Sequence, residues 1–184
     1  MKKIILSFLV FAITNVNVYS QKYFTKNGSI SFLSKAKLED IKADNNQVLS
    51  VIDTQTGDLQ FSVLVNGFHF PKATMEEHFN EDYMESSKYP KATFKGTITN
   101  LSQIDFAKDG TYKATVSGDL TMHGVTKKNF STEGTITIKG GKISATSKFT
   151  VALKDHKIKI PKLMTSNIAE KIEITVSCSY PNKM

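Results

Sequence analysis

Four histidines, one cysteine and a short acidic run are the side chains of this 184-residue sequence with the most reactive chemistry. The histidines are His69, His78, His123 and His156, which lie far apart along the chain. No two of them have the spacing of paired metal ligands. We therefore predict that the protein holds no metal and needs no cofactor.

The acidic run surrounds His78 in the segment EEHFNED, residues 76–82, where it could serve general acid–base chemistry. On a helix, however, these side chains face away from the apolar stripe of Met75, Phe79 and Tyr83, so the sequence favours a solvated face. The sequence contains no zinc-protease, serine-hydrolase, P-loop or dinucleotide-binding motif. These observations predict a protein that is not an enzyme.

Charge and cysteine content narrow the class of partner. All 24 basic residues are lysines, and a chain without arginine lacks the bidentate donors that commonly recognise phosphate and guanine. Because the lysines are also scattered, the composition argues against a nucleic-acid partner.

The sequence has one cysteine, Cys178, which excludes an intrachain disulfide. It alternates in phase with apolar neighbours, so we expect a buried, inert thiol.

The N-terminus has the composition of a secretory signal peptide. Lys2 and Lys3 precede a ten-residue apolar run, and the small residue Ser20 stands before Gln21. The apolar run is too short to span a bilayer. We predict a signal peptide over residues 1–20 and one mature domain over residues 21–184, without a transmembrane segment and periplasmic or secreted. An uncleaved N-terminal anchor is the alternative.

Apolar and polar residues alternate through most of the mature chain, which is the pattern of β-strands. Eight such runs follow one another, nearly all with short connections, which favours antiparallel pairing of sequence neighbours. They cover residues 28–34, 47–54, 58–65, 91–101, 110–122, 126–138, 142–153 and 170–180. Eight strands suit a closed barrel that holds side chains or one small ligand, although a two-sheet sandwich would show the same alternation.

One segment, residues 71–90, interrupts this mainly β pattern. Pro71 can begin a helix and Pro90 can follow its end, and the apolar stripe would face the barrel. We predict one helix here, which either plugs one end of the barrel or covers an apolar mouth as a lid.

Small residues recur on the inward faces of the strands, and two interpretations of them stay open. They let the strands bend sharply, or they leave part of the interior unfilled. These residues are Gly96, Ala114, Gly118, Gly134 and Ala145.

Two segments contain three features in a fixed order: HFNEDYMESSKYPKATFKG and GDLTMHGVTKK. The first segment has an acidic helix, followed by a strand that begins with KYPKATFKG. The second has LTMHGVTK at the connection between two strands. In this order they closely resemble the YceI-like family of bacterial periplasmic or secreted proteins, with likeness over about residues 28–180. The resemblance implies an eight-stranded antiparallel lipocalin-like barrel with one helix between strands 3 and 4. It also implies a carrier, storage or sequestration protein with a polyisoprenoid or similar amphiphilic lipid in its lumen. Lys128 and Asn129 follow GVTK here, where the family usually has a proline or an apolar residue.

The predicted lipid-binding residues are apolar side chains of the inward faces and the helix, because a hydrocarbon chain needs a dry tunnel and few polar contacts. They are Phe61, Val63, Phe68, Phe70, Met75, Phe79, Tyr83, Phe94, Ile98, Leu120 and Met122. Two interpretations apply to His123. We favour a structural role for His123 at the corner between two strands. The alternative is that His123 or Lys127 donates a hydrogen bond to an anionic head group at the mouth.

Rival functions also stay open at this point. A structural or interaction barrel with a filled core would bind no ligand. A lipid hydrolase or isomerase would need a titratable polar pair deep in the lumen. A homodimer is a further alternative on which the sequence does not decide.

Overall fold

The computed structural model describes residues 21–184, and the predicted signal peptide, residues 1–20, lies outside the described residues. Within this range the chain forms nine strands and one α-helix. A π-helical turn over Phe79–Tyr83 continues directly from the α-helix. In chain order these are β1 (Lys22–Lys35), β2 (Asp40–Asp53), β3 (Asp58–Leu64), α1 (Ala73–His78), β4 (Lys91–Ile98), β5 (Gly110–Met122), β6 (Val125–Lys139), β7 (Lys142–Ala152), β8 (Lys171–Tyr180) and β9 (Asn182–Lys183).

The first eight strands form one closed antiparallel barrel. Each strand pairs with the next along the chain, and β1 pairs with both β2 and β8, so that no long edge is left. The short β9 adds a pairing to Tyr23 and Phe24 of β1. The eight-stranded barrel and the helix between β3 and β4 confirm the predicted fold.

The second strand begins earlier than the sequence pattern indicates. The pattern predicts a polar connection over residues 38–46, but β2 begins at Asp40. Ala43 and Asn45 are buried within it, and the polar side chain of Asn45 at an inward position hides the alternation. Asn45 is tolerated inside because its Nδ2 donates to the carbonyl of Leu64 over 2.9 Å.

Antiparallel pairing sorts the connections between strands to two ends of the barrel. We call one end the closed end, and it carries the connections 54–57, 99–109 and 140–141. We call the other end the mouth, and it carries the connections 36–39, 65–90 (with α1), 123–124 and 153–170.

The closed end contains the tightly packed part of the core. Seven of its side chains are at most 3% exposed: Ile52, Ile98, Ile136, Ile138, Ile143, Cys178 and Tyr180. The hydroxyl of Tyr180 lies 2.8 Å from that of Ser50, which in turn donates to the carbonyl of Gln60 over 3.1 Å. The buried phenol hydroxyl therefore has a hydrogen-bond partner, which offsets the free-energy cost of removing it from water.

The barrel wall loosens toward the mouth between β6 and β7. β6 pairs with β5 along nearly its whole length, from Val125 to Ile138. With β7, however, the residues of the described chain form a ladder only over Gly134–Lys139. Because the strands are unpaired beyond Gly134, the interior can widen at this end.

Candidate functional site

The barrel encloses an apolar cavity of about 410 Å³. This volume falls within the roughly 300–1,000 Å³ of small-molecule pockets. Ile52 and Tyr180 line its deep part, and Met75 and Phe79 line it at the mouth. Inward-facing Leu120 also lines the cavity and is only partly buried.

All eleven residues predicted to bind lipid line the cavity, and their contact with a lipid remains a prediction. Strands β3, β4 and β5 supply six of them, and the segment between β3 and β4 supplies the other five. They are Phe61, Val63, Phe68, Phe70, Met75, Phe79, Tyr83, Phe94, Ile98, Leu120 and Met122.

Four phenylalanines pack together beneath the helical segment at the mouth. The ring of Phe79 lies 5.0 Å from that of Phe70, 5.5 Å from that of Phe32 and 5.6 Å from that of Phe68. Such tilted and offset contacts between rings stabilise the cluster beyond the area it buries. The helical segment is thus attached to the barrel by aromatic side chains that also line the cavity.

A second group of aromatic rings crosses the middle of the barrel. Phe94 lies 6.5 Å from Phe61 and 6.5 Å from Phe130, and Phe130 lies 5.3 Å from Phe149. All four rings line the cavity. They belong to β3, β4, β6 and β7, so the alternation of four separate strands is what brings them together.

Two inward glycines sit opposite each other where the backbones of β4 and β5 approach closely. Gly96 pairs with Gly118, and a Cβ on Gly118 would lie 2.3 Å from the carbonyl oxygen of Lys95. A Cβ on Gly96 would lie 2.5 Å from the ring of Phe94. At this pair, glycine is required for close approach of the strands, and the ring of Phe94 occupies the adjacent space.

The ring of His123 joins the connections of the mouth. Its Nδ1 lies 3.2 Å from the carbonyl oxygen of His156, and its Nε2 lies 2.8 Å from a carboxylate oxygen of Glu85. The ring of Tyr89 packs edge-on at 4.7 Å. His123 and Glu85 both have left-handed backbones, with φ of 51° and 44°, and the contacts between them hold that uncommon conformation.

Lys127, the other residue predicted near a head group, forms an ion pair with Asp155, which lies in the connection after the neighbouring strand β7. The hydrogen bond from its ammonium group lowers the pKa of the Asp155 carboxyl. Neither His123 nor Lys127 lines the cavity. Contact of either residue with a head group remains a prediction, and such a head group would compete with Glu85 or Asp155.

Two titratable side chains are buried near the deep limit of the cavity. Burial raises the pKa of the Cys178 thiol to about 11 and raises the pKa of the Tyr180 phenol as well. Both groups are therefore neutral near pH 7, and a neutral thiol is a poor nucleophile. Their arrangement suits packing and not acid–base chemistry.

No three histidine, cysteine, aspartate or glutamate side chains among residues 21–184 are grouped so that they could hold a metal ion. Over the same range, no helix has both the length and the apolar character needed to cross a bilayer.

Several cavity residues were missed by reasoning from the sequence. Phe32 and Phe130 lie on β1 and β6 in phase with the inward faces, so strand periodicity could have identified them. Met164 and Ile168 belong to the connection before β8, which has no periodic signal. Their approach to the mouth depends on the path of a long loop.

The sequence matches the model of the YceI-like domain family over residues 7–180. Among curated proteins, none matches it significantly.

Several solved structures share the fold at low sequence identity. A polyisoprenoid binding domain from Saccharophagus degradans is 14% identical, with a TM-score of 0.74 over 88% of this chain and 98% of that one. BcnA of Burkholderia cenocepacia is 18% identical, with a TM-score of 0.67 over 83% and 95%. The YceI protein of Campylobacter jejuni is 16% identical, with a TM-score of 0.58 over the whole of both chains. These similarities show a common barrel architecture.

Proposed function

The chain belongs to the YceI-like domain family, and from this membership and its apolar cavity we propose that it carries or sequesters a polyisoprenoid or similar amphiphilic lipid. The single observation that carries the proposal is the cavity of about 410 Å³, whose lining is almost entirely hydrocarbon. One structure of the same fold is described as a polyisoprenoid binding domain. A filled barrel without a ligand is less consistent with this cavity.

The binding energy would come from burial of the hydrocarbon chain. Burial of apolar groups contributes roughly 0.8 kcal/mol per methylene, so that a five-carbon unit contributes roughly 4 kcal/mol before ordering costs. The four aromatic rings in the middle of the barrel would flank the hydrocarbon chain of the lipid without requiring polar partners. We therefore propose recognition by shape and apolarity, with few specific contacts.

The proposed role is binding without catalysis, in the periplasm or outside the cell. The neutral state of Cys178 and Tyr180 near pH 7 supports the absence of a charged nucleophile or base at the deep end of the lumen. The composition of residues 1–20 supports export. A head group at the mouth would receive hydrogen bonds from His123 or Lys127 after exchange with their acidic partners.

Extraction of the protein from its native cells tests this proposal. Organic extraction and mass spectrometry of the purified protein should release a stoichiometric lipid with a long hydrocarbon chain. Protein that emerges without lipid, and that takes up no polyprenyl phosphate added during refolding, would contradict the proposal and support the filled-barrel alternative.

Two aspartate substitutions localise the lipid. Phe79→Asp places a charge at the mouth and Phe94→Asp places one in mid-barrel, where burial next to hydrocarbon is costly. Both variants should lose most of the extracted lipid while keeping the β-rich circular dichroism spectrum. Leu49→Asp, at an exposed position of β2, is the matched control and should retain it. Full occupancy in folded Phe79→Asp and Phe94→Asp would mean that these rings do not contact the lipid.

A further inference from the structure

The two most exposed large apolar side chains of the described residues lie on two connections of the mouth that touch each other. Leu163 is 92% exposed and Leu38 is 73% exposed. Their connections are adjacent, since the backbone N–H of Leu38 donates to the carbonyl of Ser166 over 3.0 Å. Leucines this exposed have no packing role within the chain, and two on neighbouring loops form a patch suited to a partner.

This patch borders the entrance to the cavity. Glu39 and Met164, the residues that follow the two leucines, both line the cavity, as does Ile168 a turn later. Whatever covers the leucines would therefore face the opening through which a ligand enters.

The same loops concentrate positive charge, and we call residues 35–39 and 154–171 the basic lip. It contains seven lysines against three acidic residues, a formal charge of +4. Residues 21–184 as a whole carry +5, so most of the excess charge lies here. Within residues 21–184 none of the seven pairs with a carboxylate, and all are exposed. They are Lys35, Lys37, Lys154, Lys157, Lys159, Lys162 and Lys171.

The other part of the mouth has the opposite charge. Residues 73–85, which we call the acidic lip, contain five acidic residues and no lysine. None of the large apolar side chains of this lip is exposed. The most exposed leucines and a cluster of unpaired lysines thus coincide at the basic lip and not at the acidic lip.

We propose that the basic lip docks on the surface of a bilayer that contains anionic lipids and so brings the mouth against the membrane. Lysines near an anionic surface are attracted to it, and leucines between them can enter the head-group region. A second copy of the chain fits less well. It would offer the leucines either another basic lip, which repels, or an acidic lip without exposed apolar partners. The docking is independent of cargo, and its use in lipid transfer rests on the proposed function.

Sedimentation with vesicles tests the docking. The purified protein, extracted free of lipid, is mixed with phosphatidylcholine vesicles that contain or lack phosphatidylglycerol. We expect binding only when phosphatidylglycerol is present, and a decline as salt increases, because screening weakens surface attraction. Equal binding to both kinds of vesicle, or to neither, would overturn the proposal.

Paired charge reversals locate the surface. Each lysine near an anionic surface contributes about fivefold to binding, so Lys159→Glu with Lys162→Glu should weaken it by at least about 25-fold. The matched control is Lys139→Glu with Lys142→Glu, which makes the same charge change beside the turn of the closed end. Equal weakening by both pairs would show attraction by net charge alone and would contradict a basic lip.

Substitution of the two leucines distinguishes docking on a bilayer from docking on a protein partner. Leu38→Ser with Leu163→Ser should reduce vesicle binding several-fold, whereas Leu49→Ser on the barrel wall should not. Sedimentation velocity without vesicles provides the counter-test: a dimer that Leu163→Ser dissociates, in a protein that ignores vesicles, would assign the patch to a second copy. Phe94→Asp, which should empty the cavity, should bind vesicles like the unaltered protein, so that failure of docking and failure of lipid binding remain distinguishable.

Discussion

The closed end and the mouth are made from the same eight strands, yet their interiors differ. At the closed end Ile138 and Ile143 are each 2% exposed and do not line the cavity. Toward the mouth Val116, Leu120 and Ile174 also point inward, but they line the cavity and are only partly buried. Strand alternation therefore decides which side chains face the interior and does not decide whether the interior is filled.

The connections between strands account for the difference. Two of the three connections at the closed end are tight turns, and the third, residues 99–109, packs Ile104 against the core. The mouth has two long connections, residues 65–90 and 153–170, which lie around the opening and leave space below it. The ladder between β6 and β7 also stops at Gly134. A filled end and a hollow end thus follow from where the short and long loops fall.

The largest expected contrast is between isoleucine truncations at the two ends. Ile143→Ala, at a buried position that does not line the cavity, creates a hole in close-packed surroundings and should lower the free energy of unfolding by about 2–5 kcal/mol. Ile174→Ala, on a wall that already borders a cavity, should cost distinctly less, about 1 kcal/mol, since little packing is lost. Urea denaturation of both variants, followed by circular dichroism, measures the difference. Equal costs would mean that the mouth end is packed as tightly as the closed end.

Alkaline pH should weaken the closed end selectively. Burial raises the pKa of Cys178 from 9.0 to about 11 and raises the pKa of Tyr180 as well. The folded state therefore keeps protons that the unfolded state releases, so the stabilisation is complete below pH 9 and is lost as pH rises toward 11. For the thiol alone this amounts to roughly 3 kcal/mol.

Denaturation midpoints between pH 8 and pH 11 test this expectation. The stability of the unaltered protein should fall across the window, and that of Cys178→Ala should fall less steeply, leaving the phenol as the remaining contributor. The thiol should also resist alkylation at pH 8 until the protein is unfolded. Rapid alkylation of the folded protein, or a flat stability profile up to pH 11, would contradict the burial of this pair.

The glycine pair between the two ends should tolerate no side chain. Gly118→Ala would bring a Cβ within 2.4 Å of the Cα of Gly96, so the strands must separate, and overpacking of this kind costs about 1–3 kcal/mol. Gly110→Ala is the matched control on the same strand, because the atoms nearest to its new Cβ would belong to the Tyr112 side chain, at 3.1 Å, and not to a neighbouring backbone. Thermal unfolding should show a clearly lower midpoint for the first variant. Similar midpoints would mean that β4 and β5 can separate without cost.

Sequence reasoning identified most of the barrel and part of the site, for a physical reason. Period-two alternation depends on residue type alone, so Phe61, Phe94 and Leu120 could be assigned to the interior. The resemblance to a family then indicated that the strands close into a barrel. The hollow itself depends on how far apart opposite walls stand, which is a long-range property. Met164 and the partners of His123 come from loops, where no periodicity marks the direction of a side chain.

The smallest expected effect concerns His123, which attaches the helical segment to the rest of the mouth. His123→Ala removes contacts with Glu85 and the carbonyl of His156, but the carboxylate is half exposed, so global stability should fall by only about 1 kcal/mol. Local opening should respond more, because residues 73–83 are attached to the barrel at few places. Hydrogen exchange should therefore quicken in this segment and stay unchanged in β7. Lys88→Ala, which removes a more exposed ion pair with the same glutamate, should leave both rates unaltered. Acceleration that spread equally into β7 would mean that the mouth cannot open without the closed end, and that the two ends form one cooperative unit.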